Sequence, residues 1–143
     1  MNKLLVVGFA AALACAFALP AFAQTHSAKK EVATAHAHAL MAEHAKTVKM
    51  AHTHLHHVIN CLVGTHGKEF DAAAGDPCKG QGNGALSDSA SDHALHGKLK
   101  DALSAAQAGL KSDSLAKVHK DAAKAAAALQ ATPTQKSSGG YSW

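Results

Sequence analysis

The chain has 143 residues, with 14 basic and 10 acidic side chains, 12 histidines and a formal charge of +4 at pH 7 with histidine neutral. That length suits one domain, and so modest a charge, with acids interspersed among the lysines, argues against a nucleic-acid binder. The apolar content is mostly alanine, so the core is expected to be thin and to need support.

Met1-Asn2-Lys3, the apolar run Leu4 to Leu19, Pro20 and Ala21-Phe22-Ala23 have the layout of a cleaved secretory signal. Residues 1–23 are therefore set apart from the fold, 24–131 are read as one helical metal-binding domain, and 132–143 as a disordered tail. The compartment expected is periplasmic or extracellular. Cys15 follows Ala12-Leu13-Ala14, a poor acylation sequence. No second apolar stretch is long enough to span a bilayer. Two cysteines remain in the mature chain, Cys61 and Cys78, and an even pair in an exported protein predicts a disulfide. Closing a loop of roughly 18 residues is worth about 3 kcal/mol in the chain-entropy model.

Cleavage after Ala23 would leave Gln24-Thr25-His26 at the start. A free amine with His third resembles the amino-terminal copper- and nickel-binding motif, in which nitrogen ligands lie in a plane. From about Ala28 to Val63 the composition favours one long helix, uninterrupted by Gly or Pro. Leu40, Met41, Val48, Ala51, Leu55, Val58, Ile59 and Leu62 form its expected core stripe, with His44 inside it. Gly64 is placed to end the helix.

His52 to Cys61 reads H-T-H-L-H-H-V-I-N-C. His52/His56 and His54/His57 are spaced i, i+4 and i, i+3, so each pair can share one ion from a helix face. His36 and His38 are two apart and point different ways in a regular helix, which makes them poor partners and predicts solvent exposure.

Thr65 to Leu86 is Gly-rich and turn-rich, a long loop that the disulfide would tie to the first helix. His66 lies where it could fold back toward His57. The glycines lack phosphate-loop context, and the acids lack EF-hand spacing. Ser87 is placed as the N-cap of a second helix with Leu95, Leu99, Leu103, Ala106 and Leu110 inward, and His93/His96 are paired near its start. After a break at Gly109 to Asp113 a third helix runs to about Ala131, with Leu115, Val118, Ala122, Ala125 and Leu129 inward and His119 at the edge.

The expected fold is all-α: a three-helix, up-down-up bundle with one long first helix and a disulfide-tied Gly-rich loop. The first helix would overhang its partners, leaving an end free to pair with a second copy. In this register His54 and His57 lie level with His93 and His96.

Histidine-dominated sites suit late transition metals, and raw affinity places copper ahead of zinc and nickel. The metal ligands expected are His52, His54, His56, His57, His93 and His96, with His66 and His26 in addition, and binding should weaken below about pH 6 as imidazole protonates. The function expected is buffering, carriage or detoxification of such a metal, with a metal exporter or another periplasmic metal protein as partner. A non-covalent haem or electron-transfer bundle is the first alternative, although no C-x-x-C-H occurs and bulky apolar residues are scarce. A pH-responsive structural protein is the second. No enzyme is expected: H-E-x-x-H and G-x-S-x-G are missing from the sequence.

Overall fold

The computed structural model describes residues 21–130, with side chains from Ala28 onward. Most of the proposed leader, the side chain of His26 and the proposed tail lie outside the described residues. Among the described residues there are five helices and no strands: α1 (Ala21–Glu43), α2 (Val48–Val63), the short α3 (Ala85–Asp88), α4 (His93–Leu110) and α5 (Leu115–Gln130). No described helix is long and apolar enough to cross a membrane.

The all-α class is as expected, but the long first helix is not continuous. It breaks at His44–Thr47 and folds back, so the bundle has four long helices rather than three. Thr47 makes the second start. It is extended at φ −138° and ψ 153°, and its hydroxyl accepts from the Met50 amide at 3.2 Å, satisfying one of the free donors at the helix start. His119 Nε2 donates to the Ala45 carbonyl in the turn at 2.8 Å, tying the reversal to α5. The overhang expected of a continuous helix does not arise.

Tertiary burial drives the reversal. The buried positions of α1 are Ala28, Glu31, Val32, Ala35, Ala39 and Ala42, whereas Leu40 and Met41 are 39% and 50% exposed and His44 is exposed. A continuous helix at about 100° per residue would point that alanine face close to half a turn away from the Ala51, Leu55, Val58 and Leu62 face of α2. Only a break lets both faces enter one core.

Contacts at the ends define an up-down-up-down order. The start of α2 meets the α4–α5 turn, where His52 Nε2 donates to the Ser112 carbonyl at 3.0 Å. The end of α2 meets the start of α3, and the turn after α1 meets the start of α5. Leu55, Leu62, Leu99, Val118 and Leu129 fill the centre, with alanine between them. Leu99, Ala106, Val118, Ala122, Ala125 and Leu129 are buried as the sequence predicts. The predicted Ser87 cap is displaced, because α3 is a separate turn and Asp92 caps α4 by accepting from the Leu95 amide at 3.0 Å.

Cys61 and Cys78 form a disulfide across a sequence separation of 17 residues. Where the loop returns, the backbones of Gly64 and Gly84 cross. A Cβ on Gly64 would overlap the Asn83 carbonyl, one on Gly84 would overlap the Val63 backbone, and both residues have positive φ, 67° and 107°. Glu31 holds the same junction from α1, its Oε1 accepting from the Gly84 amide at 2.8 Å.

The other carboxylate oxygen of Glu31 is buried without a hydrogen-bond partner. Burial pushes its pKa up to about 7; Asp88 and Asp76 push the same way, and the Gly84 hydrogen bond opposes them. The protonated carboxyl is therefore favoured by folding, and the stability it supplies is complete below about 4.5 and is lost as pH rises through about 7. Glu31→Gln keeps the acceptor and removes the ionisation. Thermal melts should place E31Q a few degrees above the parent at pH 8, with the gap closing by pH 5; an equal gap at both pH values would assign the effect to packing.

Candidate metal centre

The reversal brings α1 alongside α2 in antiparallel register and carries His38 to His54 and His57. His38 Nδ1 lies 3.2 Å from His54 Nδ1 and 3.3 Å from His57 Nδ1. The three rings are half-buried, with centroids 4.6 to 5.9 Å apart. One donor nitrogen from each lies within 4.8 Å of the others, and among the described residues this is the group that could hold a metal ion. At metal–nitrogen bonds of 2.0–2.1 Å a tetrahedral edge is about 3.3 Å. Two edges of the triangle already have that length, and the third is the one that binding would adjust.

Proton counting reinforces the geometry. His57 Nε2 sits 2.7 Å from the Ala74 carbonyl. A carbonyl only accepts, so that nitrogen carries the hydrogen, and in the neutral ring Nδ1 presents a lone pair to the group. His38 has one Nδ1 hydrogen at most and faces two nitrogens. Three neutral imidazoles thus cannot satisfy both contacts with separate hydrogen bonds, whereas one cation at the centre accepts all three lone pairs. The Ala74 contact also has the usual form of an outer partner that fixes the tautomer and orientation of a metal-binding imidazole.

Asn60 sets that outer contact. It is buried, donates from Nδ2 to the Asp71 and Gly75 carbonyls at 2.8 and 2.7 Å, and accepts from the Asp71 amide at 2.9 Å. Asp71 in turn caps the single 3-10 turn Ala72–Ala74 by accepting from the Ala73 amide at 2.9 Å. The turn that presents the Ala74 carbonyl is therefore clamped by a residue three positions after His57, with the disulfide one residue further on.

Burial is the main cause that lowers the pKa of His38, to about 4, and the neighbouring His57 and His54 add to it. His54 is lowered by burial first and by His57 second. Both rings keep their lone pairs into mild acid, below the pH at which an ordinary imidazole has protonated.

Other histidines named from the sequence have other surroundings. His52 donates to the Ser112 carbonyl, and His56 Nδ1 is 3.3 Å from the Asp71 carboxylate. His96 Nδ1 donates to the Leu86 carbonyl at 3.1 Å, closing the α3–α4 corner, and His93 is exposed. His66 is exposed and lines a separate cavity of about 550 Å³ with Val63, Glu69, Asn83 and Asp88. Of the histidines picked from the sequence, the structure brings together His54 and His57, without His93 and His96. The third member, His38, was expected to be solvent-exposed and a poor partner. That expectation holds for a continuous helix, in which no histidine lies three or four residues from His38.

Comparison with protein-family models, curated proteins and solved structures finds no match to this chain.

Two outcomes check the site. Asn60→Ala should weaken metal binding about tenfold or more, within the range for loss of an outer-shell partner, with a helical circular-dichroism spectrum close to the parent's; undiminished affinity would separate the clamp from the site. For the metal-free protein, His38 takes up a proton near its ordinary value when unfolded and only at about 4 when folded. The stability that His38 contributes should therefore fall as pH drops from about 6.5 to 4, against the opposite trend of Glu31, and the difference between the parent and His38→Ala in metal-free melts should change with pH in that window.

Proposed function

We propose that this is an exported protein that binds a late transition metal ion and buffers, carries or detoxifies it, with copper favoured over zinc and nickel. The single observation that carries the reading is the convergence of the His38, His54 and His57 ring nitrogens on one point, two of the separations being 3.2 and 3.3 Å. Borderline nitrogen donors suit Cu(II), Ni(II) and Zn(II), and the ordinary affinity order puts Cu(II) first.

Three protein ligands leave a coordination position for solvent or for a donor from elsewhere, whereas closed structural sites use four. Three half-buried imidazoles at the flank of a hairpin therefore suit an ion that is taken up and passed on. Export is supported by the residue pattern of 1–23 and by the Cys61–Cys78 disulfide, which fits an oxidising compartment. The convergence on a point suits an ion better than the two faces of a porphyrin, so the metal reading stands ahead of the haem alternative.

The test is a calorimetric titration of the full chain with Cu(II) and with Zn(II), repeated on single alanine variants of His38, His54 and His57 and on His52→Ala/His93→Ala. Each single variant should lose at least tenfold in affinity, and the double variant should match the parent. Equal binding by all of them would remove the centre; loss only in the double variant would move it to the α2–α4 side.

A further inference from the structure

Imidazole alone does not set the oxidation state of a bound metal, and two side chains beside the histidines bear on that choice. Met41 and Met50 are 50% and 48% exposed and, with Leu40, are the exposed large apolar side chains of the described chain. The buried core is built from Ala, Leu, Val, Ile and the disulfide, with no methionine among its buried side chains. The usual use of methionine as an adaptable core filler is thus not the one made of it here.

Helical spacing places each methionine one turn from a histidine. Met41 follows His38 by three residues. Met50 precedes His54 by four and His57 by seven, so it lies angularly between those two on the same side of α2. The register that sets His38 against His54 and His57 fixes the rest: a step of one turn toward the reversal arrives at Met41 on α1 and at Met50 on α2. Both methionines therefore stand on the outer side of the hairpin toward the reversal, Met41 one turn from His38, and Met50 one turn from His54 and two from His57. Single exposed apolar residues scattered over a surface are ordinary; these two are confined to one end of one hairpin.

We propose that Met41 and Met50 extend the His38, His54 and His57 group toward the reversal into a mixed imidazole–thioether site that takes Cu(I). The proposal rests on the metal-centre reading above and deepens it. Thioether sulfur is soft and uncharged, favours Cu(I) over Zn(II), and keeps its lone pairs at any ordinary pH. Three rotatable bonds let each sulfur move toward the nitrogens or out to meet an arriving ion. Uptake would begin at the exposed sulfurs and end among the imidazoles, with no change of oxidation state required.

The experiment compares the full chain with M41L/M50L and with H38A, by anaerobic competition for Cu(I) against a chromogenic chelator and by titration with Zn(II). Leucine keeps the size and helix preference at two exposed positions, so the double variant should fold as the parent does. M41L/M50L should lose at least tenfold in Cu(I) affinity while its Zn(II) affinity stays within twofold, and X-ray absorption of the Cu(I) form should show a copper–sulfur path in the parent that the variant lacks. Unchanged Cu(I) affinity in M41L/M50L, or a parent spectrum with nitrogen neighbours only, would overturn the thioether site and leave the imidazole centre standing. H38A should lose Zn(II) and Cu(I) together. Retention of Zn(II) by H38A would instead bring down the centre on which this inference is built.

Discussion

The chain reversal at His44–Thr47 governs everything that follows from it. In an unbroken helix sixteen residues separate His38 from His54 by about 24 Å; across the reversal their ring nitrogens are 3.2 Å apart. No single strong interaction holds the turn. The Thr47 cap satisfies an amide, His119 satisfies the Ala45 carbonyl, and burial of the alanine face of α1 supplies the reason to fold back at all. Alanine also sets the spacing. Interaxial distance depends on the side chains at the contact, and a helix whose buried positions are Ala35, Ala39 and Ala42 can lie close to its neighbour. Close axes let imidazoles on the flanks of two helices meet across the groove.

A second constraint comes from the loop between α2 and α3. Such a segment inside a small bundle costs conformational entropy, and here it is tied at successive points: Asn60 holds Asp71 and Gly75, Cys61 holds Cys78, and Gly64 and Gly84 interlock where the loop rejoins the bundle. These anchors stabilise a thin core, and they also present the Ala74 carbonyl to His57. Stability and site are therefore not separable in this stretch of sequence. The same division of labour runs through the histidines. His52, His96 and His119 each donate to a carbonyl at a turn or helix corner, so a histidine-rich composition serves the fold as well as the candidate metal centre.

The helical class, the disulfide and the inward faces of α4 and α5 were legible because leucine, valine and cysteine signal them directly. The split first helix was not. Ala28 to Val63 contains no Gly or Pro, and Leu40 and Met41 fall in phase with Val48, Ala51 and Leu55, so the bulky residues alone describe one continuous stripe. The contrary signal was in the alanines, whose buried set in α1 is nearly half a turn out of phase with α2. Alanine reads equally well as core or as surface, and its phase acquires meaning only once a partner helix is known. His38 was lost with that step. Within one helix its only close histidine is His36, which points elsewhere, while its actual neighbours are sixteen and nineteen residues away along the chain.

Burial shifts two ionisable side chains of the folded protein, Glu31 and His38, in opposite directions. Glu31 favours its proton up to about 7, and His38 refuses one down to about 4. Between those limits the interior carries neither charge. This follows from burial acting with opposite sign on an acid and a base: desolvation penalises the charged form of each, which raises the carboxyl and lowers the imidazole. The consequence for a metal site is specific. Proton competition at His38 is displaced toward acid by burial, so the weakening of binding expected near pH 6 from ordinary histidine would be postponed for an ion held by this ring. A cluster of freely exposed histidines would surrender an ion at the ordinary imidazole pKa; burying one of them would shift the pH at which an ion held there is released.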